Sequence, residues 1–173
     1  TCQQCVPGKF KATLSNDACE NCAVGHFAAH AQATVCVSCH LNSVEMPAAQ
    51  GEKCECRAGY TQANSSLLHP TCTECAANSY QAGQAKTACF NCDENARSEA
   101  ASVSPFDCPC NAGFYESDVL LCAACAAGTY KEAALTTEGD TAQCSACPAN
   151  AHSLPESSDA SACLCNAGYT GTI

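Results

Sequence analysis

Cys144-Ser145-Ala146-Cys147-Pro148-Ala149-Asn150-Ala151-His152-Ser153, completed by Cys163-Leu164-Cys165-Asn166-Ala167-Gly168-Tyr169, is the stretch that decides the fold. A C-x-x-C pair is followed three residues on by Asn, and a C-x-C pair is followed by Ala-Gly-Tyr. Working outward, the 20 cysteines of the 173-residue chain all fall into close pairs of these two kinds. Seven are C-x-x-C (2/5, 19/22, 36/39, 72/75, 89/92, 122/125, 144/147) and three are C-x-C (54/56, 108/110, 163/165). After the first pair, the order C-x-x-C, C-x-x-C, C-x-C runs three times, starting at Cys19, Cys72 and Cys122, with periods of 53 and 50 residues. Self-similarity at such periods marks an array of small units.

The residues after each pair repeat as well. A Gly or Asn and then an aromatic follow the first pair, at Gly8/Phe10, Gly25/Phe27, Asn78/Tyr80 and Gly128/Tyr130. Asn42, Asn95 and Asn150 follow the second pair, and Ala58-Gly59-Tyr60, Ala112-Gly113-Phe114 and Ala167-Gly168-Tyr169 follow the C-x-C. Gly and Asn tolerate positive φ, which suits tight turns beside the cysteines. The aromatic supplies what little apolar mass each unit has.

Composition excludes the alternatives. The hydrophobic fraction is 47%, but Ala and Cys dominate it; Leu, Ile, Val and Phe together number 22, about 13% of the chain, with one Met and no Trp. That is too little for one large apolar core, so covalent cross-links must replace it. No apolar run approaches the 18 residues of a membrane span. Seven basic against 17 acidic residues give a net charge of −10. The sparse Lys and Arg exclude a nucleic-acid or anionic-membrane partner. Thiols at this density point to an oxidising compartment. The sequence starts at Thr1 without a signal segment, and is expected to be processed or an excerpt of a longer protein.

The residues from Cys144 to Tyr169 resemble the EGF-related, ephrin-receptor-like cysteine-rich repeats of receptor ectodomains and of large surface proteins of protists and algae. The resemblance covers essentially the whole chain. It implies tandem EGF-like modules: a small disulfide-rich fold, mostly irregular with short β-ribbons, forming an elongated rod. Residues 1–21 are expected to be an abbreviated module, 22–74 and 75–124 complete ones, and 125–173 one incomplete at its C-terminus. Ribbons are expected around each C-x-C, as at Cys108–Tyr115, and a helical turn at Ala126-Ala127 or Glu132–Leu135.

EGF-type modules pair the first cysteine with the third, the second with the fourth and the fifth with the sixth. Carried over, this implies Cys22–Cys39, Cys36–Cys54, Cys56–Cys72, Cys75–Cys92, Cys89–Cys108, Cys110–Cys122, Cys125–Cys147 and Cys144–Cys163, with Cys5–Cys19 closing the abbreviated module. Cys2 and Cys165 are left over. Either the chain is part of a longer array, or copies join head to tail through Cys165 and Cys2, or the pairing differs, since spacing alone does not fix connectivity.

His26-x-x-x-His30 upstream of Cys36-x-x-Cys39 has zinc-ligand spacing, but the same C-x-x-C recurs without histidines. The C-x-x-C pairs lack the βαβ setting of redox motifs. The acidic and amide cluster that calcium-binding EGF modules carry before the first cysteine is missing, and Glu138-Gly139-Asp140 reads as a solvated turn. The histidines at 26, 30, 40, 69 and 152 form no arrangement suited to catalysis. Neither an enzyme nor a cofactor or metal is expected. Asn64-Ser65-Ser66, between Cys56 and Cys72, is the only N-glycosylation sequon. The chain is thus expected to be a non-enzymatic, glycosylated structural segment of a surface coat, stalk or mastigoneme-like filament. Its expected partners are itself, or its own continuation through both ends. The alternative is a ligand-binding segment of a receptor ectodomain.

Overall fold

The computed structural model describes residues 1–45, 51–63, 68, 70–117, 121–132 and 143–173. Among them, the fold class expected from the sequence is what the chain adopts: a small disulfide-rich structure of short antiparallel two-stranded ribbons, consistent with tandem EGF-like modules. Helix is confined to two 3-10 turns, Pro105–Asp107 and Ala160–Ala162.

The unit is smaller than the 50-residue period. Each of nine disulfides closes its own hairpin. Eight hairpins hold a ribbon: Lys9–Phe10 with Glu20–Asn21, His26–Phe27 with Val37–Ser38, Ser43–Glu45 with Cys54–Cys56, Tyr60–Gln62 with Cys72–Glu74, Ser79–Tyr80 with Phe90–Asn91, Phe114–Glu116 with Cys122–Ala124, Thr129–Tyr130 with Ser145–Ala146, and Ala151–His152 with Leu164–Cys165. The ninth, closed by Cys92–Cys108, has a single bridge, Ala96 to Cys110.

One local rule builds every hairpin. Three residues after the cysteine that opens it stands a Gly or Asn with positive φ: Gly8, Gly25, Asn42, Gly59, Asn78, Asn95, Gly113, Gly128 and Asn150. This residue is the third of a β-turn closed by an N–H to C=O bond, as from Lys9 to Val6 and from Phe114 to Asn111. A turn with positive φ at that position selects Gly or Asn. The carbonyl of the same residue accepts from the N–H three positions after the closing cysteine, across the ribbon, in all nine hairpins at 2.7–3.1 Å. Each disulfide is therefore doubled by a backbone bond three residues further along both strands. In three hairpins the turn's next residue also returns a hydroxyl, from Ser43, Ser79 and Thr129 to the carbonyls of His40, Ala76 and Ala126, each at 2.7 Å.

The chain forms two compact units. The first comprises Thr1–Cys75 with Gln81–Cys89, the second Ala76–Tyr80 with Phe90–Ile173. In the first, successive hairpins are tied by Gly8 N–H to the Ala28 carbonyl, Ala28 N–H to Gly51 and Gly59 N–H to Gln81. In the second, Asn78 N–H donates to Ser98, Gly113 to Lys131 and Gly128 to Ser153. Of nine buried apolar residues among those described, seven are half-cystines, and Phe27 and Ala28 are the others. Sulfur supplies the core that composition denied to aliphatic side chains. Glu55, buried between Cys54 and Cys56, pairs with Lys53 at 2.6 Å.

The bridges differ from the EGF-type order. The structure joins Cys22–Cys36, Cys39–Cys54, Cys75–Cys89, Cys92–Cys108, Cys125–Cys144 and Cys147–Cys163, where Cys22–Cys39, Cys36–Cys54, Cys75–Cys92, Cys89–Cys108, Cys125–Cys147 and Cys144–Cys163 were expected. It also contains Cys5–Cys19, Cys56–Cys72 and Cys110–Cys122. The reason lies in strand geometry. The two residues inside a C-x-x-C, such as Val37–Ser38, are a strand, and alternation sends cysteines three apart to opposite faces. Alternation alone allows either cysteine to face the hairpin behind. The ribbon register settles it, pairing the Cys39 N–H with the Gly25 carbonyl and leaving Cys36 with its Cα 5.7 Å from that of Cys22. Cys36 therefore closes the hairpin behind and Cys39 opens the hairpin ahead. Two smaller differences accompany it. The C-x-C at Cys108–Cys110 meets Ala96 rather than its own downstream residues, and Ala126-Ala127 enters a turn before the strand Thr129–Tyr130 instead of a helix. Residues 133–135 of the second helical expectation lie outside the described residues.

Two predictions follow. Non-reducing peptide mapping with cleavage inside the C-x-x-C pairs should yield a Cys22–Cys36 fragment separate from a Cys39–Cys54 fragment; a Cys22–Cys39 peptide would contradict the hairpin order. Gly113→Ala places a methyl 2.3 Å from the Glu156 carbonyl oxygen at φ +82°, whereas Gly25→Ala meets nothing within 4 Å at φ +78°. Denaturant melts of the oxidised protein should show a loss of about 1–2 kcal/mol for Gly25→Ala, the left-handed penalty alone, and a clearly larger loss for Gly113→Ala.

Candidate functional site

The hairpins leave most side chains on the outside, so the candidate site is a surface studded with turns together with two free thiols. Eighteen cysteines are bonded, while Cys2 and Cys165 carry free, exposed thiols. Both fit the repeat. Cys2 stands three residues before Cys5, where a hairpin-closing cysteine stands elsewhere, and Cys165 stands three before Gly168 (φ +88°), where an opening cysteine stands. The Cys165 thiol lies 3.9 Å from the Gly171 carbonyl oxygen.

The zinc arrangement loses its sulfur ligands, because Cys36 is bonded to Cys22 and Cys39 to Cys54. His26 is engaged locally, its Nδ1 donating to the Val24 carbonyl at 3.2 Å. Among the described residues, no three His, Cys, Asp or Glu side chains come together as a metal site. Asn64, His69 and Glu138-Gly139-Asp140 lie outside the described residues.

The second unit holds a cleft of about 210 Å³. Tyr80, Asn91, Asp93, Pro105 and Glu116 line it, with the disulfides Cys92–Cys108 and Cys110–Cys122 at its wall. One of its acidic groups serves the backbone: the Asp93 carboxylate accepts from the Cys122 N–H at 3.0 Å. Tyr80 packs against Phe90 with ring centroids 5.8 Å apart. Other polar groups cap turns. Asp107 accepts from the N–H groups of Val103 and Ser104 at 2.8 and 2.9 Å. Asp159 accepts from the hydroxyl and the N–H of Ser161, and these bonds hold its carboxyl below the ordinary 3.8. Exposed apolar side chains, among them Val24, Leu41, Phe90 and Leu154, are distributed over both units. No helix among the described residues is long and apolar enough to cross a membrane.

The opening-cysteine rule was missed in the sequence although its signal is there. Ten cysteines, from Cys5 to Cys165, are followed three residues later by Gly or Asn at the turn. The three separate signatures noted above are this one motif, displaced by one residue wherever C-x-C replaces C-x-x-C.

No family model matches the chain. It is similar to the ephrin type-B receptor 1-A of Xenopus laevis, with 38% identity over 66 residues. Those residues are 38% of this chain, and the chain spans 6% of that receptor's length. The ribbons, the sulfur core and this similarity define a disulfide-rich, cysteine-repeat segment of extracellular type.

With residues 1–173 isolated as a monomer under non-reducing conditions, alkylation by a maleimide should label two cysteines per chain. Peptide mapping should place both labels on Cys2 and Cys165. Label on Cys36 or Cys39 instead would reopen the metal reading.

Proposed function

We propose that the chain is a non-enzymatic structural segment of an extracellular surface coat, stalk or filament. The observation that carries this reading is the sulfur core. Each hairpin places its buried volume in its own bridge and in backbone bonds to its neighbours, and the cleft's Asp93 is engaged by the Cys122 N–H. Such a segment tolerates water on all sides, keeps its fold without ligands, and is kept soluble by its acidic surface. Cys2 and Cys165 serve to extend the array, bonding to the continuing polypeptide or to another copy. Asn64, in the loop between Cys56 and Cys72, carries the glycan in this reading.

A second reading, a ligand-binding segment of a receptor ectodomain, is supported by the similarity to the ephrin receptor. Electron microscopy of the intact native protein separates the two. Assembly into coats or filaments, with Cys2 and Cys165 closed to alkylation, is the expected result. A monomeric cell-surface protein that binds a soluble protein through residues 1–173 would overturn the structural reading.

A further inference from the structure

We propose that the nine hairpin loops lie outside the load path, so that tension applied to the ends is carried by a short covalent strap of disulfides and linking residues. This goes beyond the reading above and concerns how force crosses the chain in any extracellular assembly. The observation is the order of the bridges: each opening cysteine bonds to the next cysteine along the chain, and no bridge spans another.

Force entering at Cys5 has two routes to Cys19. The disulfide holds the two Cα atoms 5.6 Å apart, while the backbone route is 14 residues long. An extended chain spans roughly 3.3–3.6 Å per residue, so that loop becomes taut only near 50 Å. The disulfide therefore carries the load and the loop stays slack. Force then crosses Glu20-Asn21 to Cys22 and meets the next bridge. The same holds at every hairpin, with Cα separations of 5.5–5.8 Å throughout. Hydrogen bonds between neighbouring hairpins can yield under tension, but the covalent path limits the length gained. Loop lengths, with bonded cysteines 12 to 19 positions apart, do not enter the length of the strap.

A dithiol reductant converts the strap into a stepwise extensible one. A thiolate of dithiothreitol attacks one sulfur, forming a mixed disulfide and releasing the other half-cystine as a thiolate. The reagent's second thiol then closes its ring and frees the first half-cystine. The protein gains two electrons and two protons, and the reagent leaves as its cyclic disulfide. Because bridges do not interlock, each reduction lets out one loop: roughly 35 Å at Cys110–Cys122 and roughly 60 Å at Cys125–Cys144.

The test is single-molecule force spectroscopy on residues 1–173, held through peptide-tag handles at both ends. In oxidising buffer no step of loop length is expected. In dithiothreitol, discrete steps of roughly 35–60 Å should appear, each matching one loop. Loop-length steps without reductant, or reductant-dependent steps that release two loops together, would overturn the proposal. The double variant Cys110→Ser with Cys122→Ser should lengthen the oxidised chain, measured at full extension, by roughly 35 Å; a larger gain overturns it equally.

Discussion

Everything in this molecule depends on one cross-strand lock. A disulfide joins two cysteines, and three residues on along both strands a carbonyl of a positive-φ residue accepts the opposite N–H. The covalent bond restricts the unfolded chain, by about 3 kcal/mol for a loop of this size in the entropy model. The hydrogen bond fixes the register of a ribbon only two or three residues long. Neither would hold such a ribbon alone: isolated two-stranded hairpins are marginal in water. Together they make a fold element from some 17 residues containing almost no aliphatic side chain.

The lock also explains the two kinds of cysteine pair. The accepting carbonyl always meets the N–H three residues beyond the closing cysteine. In six hairpins that N–H belongs to the next opening cysteine, giving C-x-x-C. In the others it belongs to Arg57, Asn111 or Asn166, because the opening cysteine has moved one residue earlier, giving C-x-C. Moving by one residue brings both cysteines to the same face of the strand.

Much of this was legible in the chain. Composition forced a cross-linked fold, the paired cysteines gave an array, and the Gly and Asn positions announced turns with positive φ, where the structure has Gly8, Asn42 and Gly113. The pairing order was not legible. It depends on which face of a two-residue strand each cysteine leaves by, and that is invisible until Val37–Ser38 or Ser145–Ala146 is known to be extended. The 50-residue period hid the smaller unit for a related reason: one C-x-C in every three pairs shifts the spacing, and the eye follows the louder repeat. The histidines near Cys36 looked like ligands only while their cysteines were unassigned. The surface character was readable from charge, whereas the use of Asp107 and Asp159 as turn caps was not, since each binds an N–H brought to it by the local path of the backbone, and Asp93 binds one 29 residues away.

A C-x-x-C here is a junction, its first cysteine finishing one hairpin and its second beginning another. A genetic duplication or deletion whose breakpoints both fall inside such junctions adds or removes whole hairpins and strands no thiol, since the even complement of bonded cysteines is restored on either side of the cut. Arrays of this type can therefore drift in length by single small increments, without passing through misfolded intermediates and without waiting for a six-cysteine block to be copied intact. The 15 to 22 residues between successive turn residues, from Gly113 to Gly128 and from Gly128 to Asn150, are the range of increments already accepted within this one chain.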